Sequence, residues 1–262
     1  MQYFKDEDIE KLNFDLLTLK ERYLNIVSRI SVLSGNLKEE KAKEYLFHGV
    51  ARRLGVIERC VDNIYSIFPI EREILLSWEE LKDVDINLHA FFINIFGLLD
   101  NLAWVLIHEK RLKIDKKDVG LYMNKTQTCF EKKFRTYLNS DRIKKWHNEY
   151  LKNYRDALSH RIPLYVPPKA LTSEQKNHTE LIEKQLNDSI KLRDYSVIDN
   201  LHDKEDKIGS PSPFFIHSIS EEESKYVVLH AQVITDFKTV EEIVEKFCDA
   251  FAGCCDTASL KQ

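Results

Sequence analysis

Glycine and proline are scarce, with seven and six in 262 residues. An all-β chain spends both on tight turns, so their scarcity favours long helices. Cysteine is sparse and scattered. Cys60, Cys129, Cys248, Cys254 and Cys255 form no CxxC pair and no Cys/His spacing suited to zinc. An odd set of this kind fits a reducing compartment better than a disulfide framework. The opening "MQYFKDEDIEKL" has no basic stretch leading into an apolar run, so a cytoplasmic location is expected. A clean membrane-length segment is missing too. The nearest approach, "NLHAFFINIFGLLDNLAWVLIH" at 87–108, carries Asp100, three Asn and two His. Those groups are costly in lipid, so a buried core helix is expected and no membrane partner.

What is present is an ordinary globular balance, 43% hydrophobic and 31% charged. The net charge is −4, but residues 110–169 hold 16 Lys/Arg against 6 Asp/Glu, a net of +10, which leaves −14 for the rest. A basic segment in an acidic chain is what an RNA-binding surface would show.

Apolar periodicity predicts a helix over 5–33, broken by "SGN" at 34–36, where Asn36 and Glu39 could cap a second helix running to Phe68 and Pro69. "SWEE" at 77–80 is another capping box, opening a helix towards Lys110 with a break expected near 83–85. Residues 111–127 read as loop. Thr128 and Glu131 could cap a short helix to Leu138, and "NSDR" starts a helix that Pro163 stops. Residues 164–171 read as extended, 173–192 as a peripheral polar helix and 199–213 as a mobile linker. "FFIHSI" and "KYVVLHA" suggest a hairpin that sets His217 against His230, with a last helix over 237–251 and a frayed tail after it.

Two stretches carry candidate chemistry. In the first, Asn87, Asn94, Asn101 and His108 recur every seven residues along the apolar helix. Seven residues turn a helix by about 700°, so the four form one slowly drifting stripe. Such a seam could fix helix register through buried hydrogen bonds, or it could face a site. Asp100 beside it could orient a cation, and no spacing selects which one. His48, Arg52 and Arg53 in "FHGVARR" could add cations to a site or line a helix surface.

The second stretch is "RDALSH", 155–160. At about 100° per residue, Ile143, Trp146, Tyr150, Leu151, Tyr154, Ala157 and Leu158 fall within an arc of about 140°. Arg155, Asp156, Ser159 and His160 then share the opposite, outward face. One His and one Asp are too few for a metal site, and Arg is no ligand. Arg and His do suit cleavage of RNA by its own 2′-hydroxyl, with His moving the proton and Arg meeting phosphoryl charge. A solvated helix face would look the same.

The stretch resembles the signature of the HEPN superfamily, in which an Arg and a polar residue precede a His at the end of a helix. Arg155, Asp156 and His160 match those positions. The resemblance implies a mainly α fold. An antiparallel helical bundle over 38–162 would be joined by an N-terminal helix over 1–37 and a C-terminal elaboration over 163–262, with a short β-hairpin and a final helix. It further implies a metal-independent endoribonuclease, in the manner of a toxin or phage-defence effector. Two protomers would form one composite site and leave 2′,3′-cyclic phosphate ends, with no cofactor. Arg155, His160 and Asp156 are then the catalytic candidates. Lys144, Lys145, Lys152 and Arg161 would hold the RNA, and Asn94, Asp100, Asn101 and Ser159 would support them. The expected partners are a second copy, RNA, and a protein inhibitor or activator. Some members of the superfamily bind without cutting, so a non-catalytic interaction or ligand-binding module is the alternative. The family's nucleotidyltransferase-paired toxins carry a Tyr two residues past the His, where this chain has Ile162.

Overall fold

The computed structural model describes residues 3–205, 207–217 and 226–256, with the side chains of 252–256 left out. The fold is mainly α, with a small antiparallel sheet. Helix α1 spans Asp6–Asn36. A long rod comes next, made of α2 (Glu40–Glu44), a π-helical stretch (Tyr45–Ala51) and α3 (Arg52–Ile67). Helix α4 spans Trp78–Glu109, and beyond it lie the short α5 (Asn124–Gln127) and α6 (Lys132–Leu138). A second interrupted rod joins α7 (Asp141–Lys145), another π-helical stretch (Trp146–Leu151) and α8 (Lys152–His160). After strand β1 (Leu164–Tyr165) come α9 (Ser173–Leu192), α10 (Tyr195–Glu205), β2 (Phe214–His217), β3 (Val227–Val228) and α11 (Leu229–Asp256).

Helix α4 is the axis. Its Ser77–Glu80 capping box forms as expected, and no break occurs near 83–85. Leu88, Phe91, Phe92, Ile95, Leu98 and Leu102 are fully buried, so the segment is a core helix. It meets the α2–α3 rod in antiparallel register: Asn63 donates to Asn87 at 2.9 Å, Arg53 to Asn94 at 3.0 Å, and Tyr45 stacks on His108 at 5.0 Å. The α7–α8 rod also runs back along α4, with His147 against Phe96 and Tyr154 against Phe92. Helices α1 and α11 lie parallel, bridged by Lys238–Asp15, Arg22–Glu241 and Arg29–Asp249. One apolar cluster takes in residues from α1 to α11, and Ile182, Leu186 and Leu201 form a separate small one between α9 and α10.

Several local expectations need correction. Helix α1 runs through Asn36, and Glu39 offers no side-chain cap to α2. The carboxylate of Glu109 instead accepts the N–H groups of Lys38 and Glu39, a cap supplied by tertiary packing. Thr128 turns its hydroxyl back to the Lys125 carbonyl rather than capping α6. Much of the expected mobile linker is helical, because α10 lays Leu201 on Ile182 and Leu186 of α9. The hairpin exists, but its second strand is two residues long and His230 already belongs to α11. There its ring meets the Phe68 carbonyl at 2.6 Å, so it does not face His217 across strands. Parts of the expected hairpin turn and tail, 218–225 and 257–262, lie outside the described residues.

Candidate functional site

One turn of α4, residues 96–100, seats two guanidinium groups. Phe96 carries that of Arg155, whose Cζ lies 4.1 Å from the ring centroid. A guanidinium over an aromatic face gains electrostatic attraction and keeps its planar donors ordered. The next residue, Gly97, makes room for Arg53: a Cβ built there would lie 2.5 Å from the Arg53 Cζ. Arg53 is held from its other side by the Asn94 carbonyl oxygen at 3.0 Å, and Asn94 in turn donates to Ala90. Asp100, one turn beyond, is the carboxylate that both arginines act on. Burial pushes its carboxyl up to about 6, while the charges of Arg155 and Arg53 pull the other way. The cations whose charge Asp100 feels, left open by the sequence, are these two.

The support of Arg155 continues behind α4. Phe96 stacks with the buried His147 at 5.8 Å, and His147 stacks on Tyr122 at 3.6 Å with the planes 15° apart. Burial holds the His147 imidazole down at about 4, so a neutral ring occupies this stack near neutrality. The pile fixes the loop before α5 to the rod that carries Arg155.

The outward-facing placement of the "RDALSH" side chains holds for only half of them. Ser159 and His160 are exposed. Arg155 and Asp156 are drawn in, each with a side chain 28% exposed, and lie 3.2 Å apart as an ion pair. The Arg155 Nε is buried with no partner. Tyr154, Ala157 and Leu158 face the core as the wheel has them, and Arg155 and Asp156 lie beside that face, where the Phe96 ring and the ion pair hold them. Upstream lies the π-helical stretch 146–151. Asp236 of α11 locks that stretch by accepting from Trp146 at 2.7 Å and Tyr150 at 2.6 Å. Beyond His160 the chain is pinned as well. His89 meets the Leu164 carbonyl at 2.6 Å and Asp85 accepts from Val166 N–H at 2.9 Å, which fixes where α8 ends relative to α4.

Lys144, Lys145, Lys152 and Arg161 are all exposed. The charges of Lys152 and Arg155 both bear on His147.

The seam on α4 packs against the first rod, and part of it lines a groove. Asn87 and His108 pack against the first rod and help set register. Asn94 and Asn101 line an open groove of about 450 Å³ between that rod and α4, together with Tyr45, His48, Arg52 and Arg53. Gly49 allows this closeness, since a Cβ there would meet the Asn101 Cγ at 2.8 Å. Sequence reasoning missed Phe96, Gly97, Tyr122 and His147. The only local hint was an aromatic–glycine pair inside an apolar run, which reads as packing until the rods are assembled. Among the described residues, no group of three or more His, Cys, Asp or Glu gathers as a metal-ligand set. Chemically, the arrangement can bind an anion with two ordered guanidiniums while an exposed imidazole stands at the end of the same helix.

No protein-family model, curated protein or solved structure matches the chain.

Proposed function

We propose that the chain is a metal-independent endoribonuclease of the HEPN type that acts as a homodimer. One observation carries the reading: Arg155 is ordered on Phe96 and beside Asp156, five residues before an exposed His160 on the same helix. Ordered donors aimed at developing charge cost no reorganisation during reaction. In the proposed step the substrate's 2′-oxygen bonds to phosphorus and the P–O5′ bond breaks. One His160 takes the 2′-hydroxyl proton, and the His160 of a second protomer delivers a proton to the departing 5′-oxygen. Arg155 meets the phosphoryl oxygens, and Asp156 restrains the arginine rather than the histidine. Lys144, Lys145, Lys152 and Arg161 add exposed positive charge that strengthens RNA binding at low salt. The parallel with toxins and phage-defence effectors belongs to this reading.

The test is incubation of the purified chain with mixed RNA in EDTA, beside folded Arg155→Ala and His160→Ala variants. Cyclic-phosphate ends are expected from the wild type, reduced by roughly 10²–10⁴-fold in the His variant. Cleavage that persists in both variants removes the reading. A second reading, a non-catalytic interaction module, draws on the exposed Ile86, Ile93, Ile162 and Tyr165 around the pinned end of α8. It predicts no salt-sensitive retention of RNA.

A further inference from the structure

The groove between the first π-helical stretch and α4 has features that a solvated helix surface would lack. Arg53 does not extend into water. It folds back onto Gly97 and is fixed by a neutral amide, Asn94, with no carboxylate at salt-bridge distance among the described residues. Its charge is thus ordered without being neutralised by a direct ion pair. Arg52, exposed, and His48 stand on the same wall, and Glu44 at the rim is already paired with Lys41 at 2.7 Å. Two glycines create the space, Gly97 for the guanidinium and Gly49 for the close approach of Asn101. π-helical stretches within α-helices are frequent at functional sites, and this one forms the groove's wall.

We infer that this groove is an RNA subsite that holds the nucleotide next to the scissile phosphate, with Arg53 on that nucleotide's own phosphate. The assignment rests on reading the chain as an RNA-cleaving protein. Arg53 and Arg155 pack against Gly97 and Phe96 of α4 and both charges reach Asp100, so in this assignment they grip neighbouring phosphates of one strand. A volume of about 450 Å³ is of the size that accepts a small ligand such as one nucleotide. The Asn101 amide offers both a donor and an acceptor to a base edge. Tyr45, stacked with Trp104 at 5.7 Å and His108 at 5.0 Å and faced by the Lys41 ammonium at 5.7 Å, gives the groove an ordered aromatic edge. The strand would then run from the groove over residues 96–97 of α4 to Arg155.

The test measures binding of a 2′-O-methyl RNA oligonucleotide, which lacks the hydroxyl needed for cleavage, across a salt series. Two variants are compared with the wild type. Arg53→Met removes the charge. Gly97→Ala keeps the charge but places a methyl group where the guanidinium rests, and alanine is the better helix former. Thermal melting reports that each is folded, and Gly97→Ala is expected to melt no lower than the wild type. The expected result is an affinity loss of roughly tenfold for Arg53→Met, with a salt slope shallower by about 0.7. A smaller loss in the same direction is expected for Gly97→Ala. Wild-type affinity in both folded variants overturns the subsite, as does a wild type that does not bind the oligonucleotide. Weakened binding in both variants, beside a wild type that cuts no RNA, leaves the groove standing as an RNA site and removes the nuclease reading alone.

Discussion

Asp100 feels the charges of both arginines. Its carboxyl, raised to about 6 by burial against the pull of Arg155 and Arg53, is largely neutral below that pH and ionised above it. An arriving phosphate favours the neutral form, so binding raises the group's affinity for its proton. By linkage, RNA affinity is then level below pH 6 and falls as pH rises above it. Asp100→Asn should flatten this dependence and keep the tight limb at pH 7.5. Titrating binding of an uncleavable RNA between pH 5 and 8 checks it, and an unchanged slope in the variant sinks the linkage. At this scale the sequence showed the residue types and not the pairings. Arg155, Asp156 and His160 stood out by spacing on one helix, and Asp100 by being acidic inside an apolar run. Arg53 could not be singled out, because its seat is on another helix, 44 positions away at Gly97.

Of the three capping signals read in the sequence, Ser77 with Glu80 forms its box, whereas Asn36 lies inside α1 and Thr128 bonds back to Lys125. Thr172 with Gln175, a box that sequence reasoning passed over, starts α9 in the same way, by contacts between residues three apart. The π-helical stretches left no comparable mark. The second of them, 146–151, is braced from α11 by Asp236. Asp236 is buried in α11 and accepts from Trp146, Tyr150 and Gln232 at 2.6 to 2.8 Å. Burial also raises its carboxyl to about 6. Asp236→Ala would leave those three donors without their acceptor, and net losses of about 1 kcal/mol each suggest a cost of about 3 kcal/mol in urea unfolding. Cleavage is expected to suffer too, since Arg155 lies just past the released stretch. A variant as stable as the wild type would mean that the π-helical geometry is set elsewhere. Helix α10 escaped notice because its own sequence is polar. Its few apolar side chains count only once α9 is beside it.

For the molecule as a whole, the segment 38–162 that the resemblance implied as a core shares its apolar cluster with the helices on either side of it. The cluster around α4 also draws on Leu19, Ile26 and Ile30 of α1 and on Val233, Phe237, Val240 and Phe247 of α11. Each such side chain, buried, contributes on the order of 1.5–3 kcal/mol, a large share of a domain's net stability. A fragment spanning 38–162 is therefore expected to show no cooperative thermal transition, whereas the full chain shows one. Circular dichroism on both decides it, and a sharply melting fragment would mean that α1 and α11 are additions to a self-sufficient bundle. The sequence by itself determined that the chain is helical, where α4 and α9 begin, that 87–108 is a core helix and that "RDALSH" closes a helix. Those features depend on periodicity and on contacts within one turn, which a linear pattern records. Only the tertiary structure decided that Arg155 turns inward, that Arg53 packs against Gly97 of α4, and that His230 belongs to a helix. These depend on which faces of separate elements meet, and distances across an interface leave no spacing in the chain to be read.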